Sequence, residues 1–155
     1  MTEEKPLHSP LGASSAERWM NCPGSVALIK ELKLPETDEP DYRKNGTAAH
    51  EVAAQCLRGE QDAWEFVGLT VAGVEVTVEM ADAVQVYLDV CRTIPVTPDS
   101  KIYTEFSVTA QQHPLFYGTL DRAVVTGEWM HVRDYKHGEG IMVDVEDNPQ
   151  LMYYA

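Results

Sequence analysis

The sequence predicts an α/β domain in which a small mixed sheet is flanked by helices. Two segments, Ala48 to Arg58 and Ala81 to Cys91, carry apolar residues at helical spacing. Three later segments, starting at Ile102, Phe116 and Trp129, read as successive strands. Glycine, proline and asparagine cluster between these runs and mark the turns.

Taken in order, residues 1–12 read as a loose leader. Ser14 and Ser15 offer an N-cap for a short helix through Trp19 and Met20, which ends near Cys22-Pro23-Gly24. Pro23 can start a second helix, Ser25 to Leu32. Leu34 to Tyr42 holds two prolines and the acids Glu36, Asp38, Glu39 and Asp41, so it reads as a solvated loop. Asn45-Gly46-Thr47 reads as a turn and cap. The helix after it places Ala49, Val52, Ala53, Cys56 and Leu57 on one face, has His50 in its first turn, and stops at Gly59. Val71 to Val78 alternates like a hairpin or short strand. Val84, Leu88 and Cys91 then form the stripe of the next helix.

Ile102 to Thr109 alternates as a strand, Gln111-Gln112-His113-Pro114 turns the chain, and Phe116 to Thr126 is a second strand. Gly127-Glu128 is a tight turn, Trp129 to Lys136 a third strand, and Gly138-Glu139-Gly140 a loop. Asn148 and Pro149 are the N-cap and first residue of a helix that begins at Gln150 and is cut short at Ala155. The expectation is one domain over 1–155 that is C-terminally incomplete.

At 155 residues, 44% hydrophobic and 24% charged, the chain can bury a core and has ordinary globular composition. No apolar run reaches membrane-spanning length, and the polar start Met1-Thr2-Glu3-Glu4-Lys5 is not a signal peptide, so the cytoplasm is expected. Cys22, Cys56 and Cys91 are odd in number and far apart, which argues against a disulfide framework or zinc ribbon. The net charge of −13 works against attraction to phosphates, although an acidic metal site is itself part of that charge.

The chemistry concentrates at two runs, Gly118-Thr119-Leu120-Asp121 and Asp134-Tyr135-Lys136, on consecutive expected strands. Asp134 and Lys136 are two apart and share a face. Tyr135 points away, with its carbonyl available. Two carboxylates, a carbonyl and waters satisfy a magnesium ion, which takes about six oxygens. Without a cation the carboxylates repel and one is raised in pKa. Lys136 can orient an attacking water and offset charge on a phosphate. Each run alone is a weak signal, because Asp and Lys two apart on an exposed strand are also a common structural ion pair.

Four segments in sequence order resemble the RecB-like branch of the PD-(D/E)xK nuclease superfamily. Gly46-Thr47-Ala48-Ala49-His50 is similar to its G-T-x-x-H helix, and Gly118-Thr119-Leu120-Asp121-Arg122 to its G-x-x-D-R strand. Asp134-Tyr135-Lys136 with Gly138 resembles D-x-K-x-G, and Gln150 through Tyr154 resembles Q-x-x-x-Y. The resemblance implies a restriction-endonuclease-like core and a metal-dependent deoxyribonuclease, an exonuclease of phage or bacterial recombination or repair. It implies Asp121, Asp134 and Lys136 as catalytic residues, and His50, Asp121, Asp134 and Tyr135 around Mg²⁺ or Mn²⁺. His50 taken alone would read as a packing histidine; an imidazole ligand shifts preference toward Mn²⁺. Glu105 is either a ligand acting through water or a strand carboxylate. Gln150, Tyr154 and Arg122 are implied to position DNA, though Arg122 and Arg133 could instead pair with acids such as Glu105 or Glu128. Some relatives carry an iron–sulfur cluster; Cys22 matches one ligand and the other three are missing, so this chain does not support a cluster. DNA is the expected partner, together with a recombinase or single-strand annealing protein. The alternative is a non-catalytic nucleic-acid- or protein-binding module on the same fold.

Overall fold

A computed structural model describes residues 9–32, 40–109, 111, 113–138 and 143–154. Residues 1–8 of the expected leader, residues 34–39 of the expected acidic loop, Gln112 and the loop residues Glu139-Gly140 lie outside the described residues; the end of that loop, Asp41 and Tyr42, is helical instead. The α/β class is observed, as five α-helices and two antiparallel sheets. The described helices are α1 (Ala16–Asn21), α2 (Gly24–Leu32), α3 (Asp41–Gly59), α4 (Val78–Arg92) and α5 (Pro149–Tyr154). The strands β1 (Thr70–Val71) and β2 (Val74–Glu75) form a hairpin. A second sheet has the order β3 (Lys101–Thr109), β4 (Tyr117–Thr126) and β5 (Trp129–Arg133). No helix among the described residues is long and apolar enough to cross a membrane.

The chain groups into two compact units. The larger comprises residues 37–106 and 121–142. Its core is the face of α3 carrying Ala48, Ala49, Val52, Ala53 and Cys56, packed on the face of α4 carrying Ala81, Val84, Leu88 and Cys91. Val71, Val76, Phe66 and Tyr135 complete the cluster. A 3₁₀ turn at Ala63–Phe66 is held to α4 by Gln85, a buried amide that accepts from Ala63 N at 2.9 Å and donates to Asp89 and Asp62. Arg92 closes the arrangement on Asp62 at 2.6 Å.

Three boundaries differ from the sequence expectation. Helix α3 does not begin after Asn45-Gly46-Thr47 but runs through them from Asp41. Pro40 stands at its N-cap position, and its carbonyl accepts from Arg43 N and Lys44 N at 2.9 and 3.3 Å. Once the buried half from Ala48 onward has nucleated, extending the helix backward over a glycine costs only about 1 kcal/mol. Helix α4 begins at Val78 rather than Ala81, because Thr77 accepts from Met80 N at 3.2 Å and caps it. The residues left for β pairing close through Ala72 (φ 49) and Gly73 (φ 79), a left-handed pair that suits a two-residue hairpin. Strand β5 ends at Arg133 rather than Lys136.

The smaller unit comprises residues 1–36, 107–120 and 143–155. Its packing is aromatic. Trp19 of α1 stacks on Phe116 with ring centroids 5.8 Å apart, and Tyr153 of α5 meets Phe116 edge-on at 6.0 Å. The expected cap of α5 is present: Asn148 Oδ1 accepts from Gln150 N and Leu151 N at 2.9 and 3.1 Å.

Candidate metal centre

Helix α3 presents His50 from the buried half that starts at Ala48, and the β3–β4 ladder presents Glu105 and Asp121. Ser100 pairs with Thr126 at 2.7 Å and Thr104 bonds Arg122, so the register runs antiparallel and sets Glu105 opposite Asp121. Glu105 takes a left-handed backbone, φ 47, in mid-strand. Non-glycine residues pay to adopt that conformation, and irregular strand backbone of this kind re-aims a side chain.

His50 Nδ1 lies 3.4 Å from Asp121 Oδ1 and 3.8 Å from Glu105 Oε1. One donor atom from each of the three residues falls within 4.8 Å of the others. Ligands bound to a magnesium-sized ion at about 2.1 Å in octahedral geometry stand about 3 Å apart when adjacent. The observed spacings are close to that, and an imidazole with two carboxylates is a donor set for a divalent metal ion. Asp121 is held in place by its other oxygen, which accepts from Tyr135 N at 2.6 Å. That bond takes Tyr135 out of the ladder and is the physical reason β5 stops at Arg133. Beneath the cluster, the Tyr135 ring is 5.4 Å from His50 and 4.8 Å from Tyr87. The expectation that Tyr135 points away from the site is therefore corrected: its backbone N–H and its ring both serve the site.

Asp134 and Lys136 sit beside the cluster, although they lie outside the strand, so the two-residue alternation does not explain why they meet. Their charged atoms are 2.5 Å apart, with the Asp134 side chain 12% exposed and the Lys136 side chain 51% exposed. Burial pushes the Asp134 carboxyl above the usual carboxylate range; the Lys136 amine opposes this and the Asp121 charge adds to it. Burial also disfavours the His50 imidazolium, but the nearby carboxylates of Asp121 and Glu105 outweigh that, and His50 is pushed up to about 10. That shift favours a protonated His50 in the metal-free protein, and metal binding competes with that proton.

The chain matches, over residues 8–155, the family described as Protein of unknown function (DUF2800). It belongs to the DUF2800 family. No solved structure matches this DUF2800 chain.

In this DUF2800 member the donor cluster of the larger unit is His50, Glu105 and Asp121; of the other residues expected around the metal, Tyr135 meets it through its N–H and ring, while Asp134 pairs with Lys136 and lies outside the cluster. Arg122 is in the same unit; its NH1 bonds Thr104 rather than an acid, and its Nε is buried without a partner. Gln150 and Tyr154 belong to the smaller unit, where the Tyr154 hydroxyl donates to the Thr119 carbonyl at 2.7 Å. A Cβ on Gly118 would come within 3.2 Å of that hydroxyl, so the glycine of one motif makes room for the tyrosine of another. Cys56 and Cys91 are buried and Cys22 is exposed, all three as free thiols. Two residues near the cluster carried no sequence signal. Tyr87 lies on the buried stripe of α4 and reads as core. His137 accepts or donates a 2.9 Å hydrogen bond with the Tyr135 hydroxyl, depending on its tautomer.

Proposed function

We propose that this protein is a metal-dependent deoxyribonuclease of the RecB-like PD-(D/E)xK type, acting as an exonuclease. The observation that carries the reading is the convergence of His50, Glu105 and Asp121 from α3, β3 and β4 within 4.8 Å, beside the Asp134–Lys136 pair. In this reading Glu105 is a metal ligand rather than a distant strand carboxylate. A divalent cation supplies Lewis acidity toward phosphorus and activates water.

His50, Glu105 and Asp121 hold the ion. The Tyr135 N–H fixes the rotamer of Asp121, and the Tyr135 ring fixes that of His50. Asp134 orients the Lys136 amine toward the charge that builds on the phosphate oxygens as water attacks in line. Hydrolysis joins the water oxygen to phosphorus, breaks the P–O bond to the leaving deoxyribose, and returns a proton to that leaving oxygen.

The test is cleavage of a labelled linear DNA in Mn²⁺ or Mg²⁺. Wild type should cut it. Lys136→Ala should lower the rate by 10²-fold or more while Mn²⁺ binding, followed by calorimetry, persists; the magnitude is about that of losing one electrostatic stabiliser. Asp121→Asn should abolish both. If Mn²⁺ binds in the wild type but neither single- nor double-stranded DNA is cut, the protein is instead a non-catalytic module.

A further inference from the structure

A second concavity in the larger unit lies between helix α4 and the segment 133–138. It is an open cavity of about 450 Å³, the size range of small-ligand sites. One wall is Val86, Val90 and Tyr87 of α4, and the other includes Arg133, Lys136 and His137. Val86 and Val90 are one helical turn apart and stay 66% and 45% exposed, although the rest of α4 contributes Val84, Leu88 and Cys91 to the core. That second wall also holds Asp134, which pairs with Lys136, so its net positive charge comes from Arg133, in a chain whose net charge is −13.

Arg133 stands directly across the β4–β5 ladder from Arg122. Like charges in a cross-strand pair are destabilising unless something offsets them. Among the described residues Arg133 forms no ion pair; its NH1 bonds only the Val132 carbonyl at 3.0 Å. The buried Nε of Arg122 also lacks a partner. The Tyr87 hydroxyl is buried with no oxygen or nitrogen partner, and the Cys91 thiol stands beside it.

We infer that this cavity seats one unstacked nucleotide of a single-stranded DNA substrate, its phosphate on the Arg133 side and its base and sugar against Val86 and Val90. An apolar wall facing a cationic one matches the two halves of a nucleotide. A base is free to lie on an apolar wall only when it is out of a duplex. The inference rests on the nuclease reading, which places the scissile phosphate near Lys136 in the wall of this cavity.

The experiment is fluorescence polarisation with a fluorescein-labelled, 5′-phosphorylated ten-nucleotide thymidylate strand and the full chain in EDTA, where no cutting occurs. Val86→Glu should weaken binding tenfold or more. Val78→Glu, on the same helix and 55% exposed but outside the cavity, should stay within twofold of wild type. Arg133→Gln should flatten the dependence of log Kd on log salt by about 0.7, the value for one single-strand phosphate contact. Equal effects of Val86→Glu and Val78→Glu overturn the inference, as does wild type that does not bind the strand. So does a dimer, seen by light scattering, that Val86→Glu dissociates, since a second copy would then cover these valines. The two readings separate cleanly. Cutting in Mn²⁺ with binding insensitive to Val86→Glu sinks the cavity assignment alone. Binding sensitive to Val86→Glu without cutting sinks the nuclease reading and leaves a strand-binding site.

Discussion

His50 is the residue on which the site's chemistry turns, because two carboxylates compete with burial for its proton. Burial alone would favour neutral imidazole; Asp121 at 3.4 Å and Glu105 at 3.8 Å reverse that preference. The folded value, about 10, lies above the ordinary 6.5, so the proton stabilises the fold. That contribution is complete below about pH 6.5 and is lost as the pH rises through 10. Thermal melts in EDTA should therefore show the melting temperature falling between pH 6.5 and 10, and His50→Gln should flatten the fall. An identical decline in both proteins would remove the basis for the charged His50. The same competition gives a second expectation at this scale. Mn²⁺ binding near pH 7 should release about one proton, because His50 must lose its own before it can ligate. Calorimetry in two buffers of different ionisation enthalpy measures this, and a proton count of zero would show that His50 does not exchange a proton for the metal.

The elements place these residues with different degrees of commitment. Helix α3 was legible over its buried half, since Ala49, Val52, Ala53 and Cys56 carry the 3.6-residue period. Its first two turns were not, because Asn45-Gly46-Thr47 has the local chemistry of a turn and only the finished helix overrides it. Gly46 lies one turn before His50 on the same face, and nothing stands within 4 Å of where its Cβ would be. Gly46→Ala should therefore stabilise the protein by about 0.5–1 kcal/mol, read as a higher denaturant midpoint. If it also impairs DNA cleavage, the glycine serves close approach of the substrate to His50. A loss of stability would mean that α3 is not helical at that position. Strands β3 and β4 were legible almost to the residue from alternation and flanking turns. The end of β5 was not, because it is decided by Tyr135 N turning to a carboxylate on another strand.

For the molecule as a whole, the net charge of −13 is the dominant long-range term. The ion pairs among the described residues are few and local, such as Lys44–Asp41 at 3.3 Å and Arg92–Asp62 at 2.6 Å, so screening has little attraction to remove and much repulsion. The melting temperature in EDTA should rise as NaCl goes from 10 mM to 300 mM, over which the Debye length shortens from about 30 Å to well under 10 Å. A flat or falling profile would show that local pairs outweigh the global field.

The sequence by itself determined the α/β class, the order of helices and strands, the apolar faces of α3 and α4, and the identity of most groups at the site. These follow from periodicity and turn chemistry, which act over a few residues. The tertiary structure alone decided that Glu105 stands with His50 and Asp121, that Tyr135 serves the site through its N–H and ring, and that Val86, Val90 and Arg133 share a cavity. Those depend on strand register, on one left-handed residue in mid-strand and on a carboxylate capturing a backbone N–H, and each joins residues too far apart in the chain for any local pattern to record.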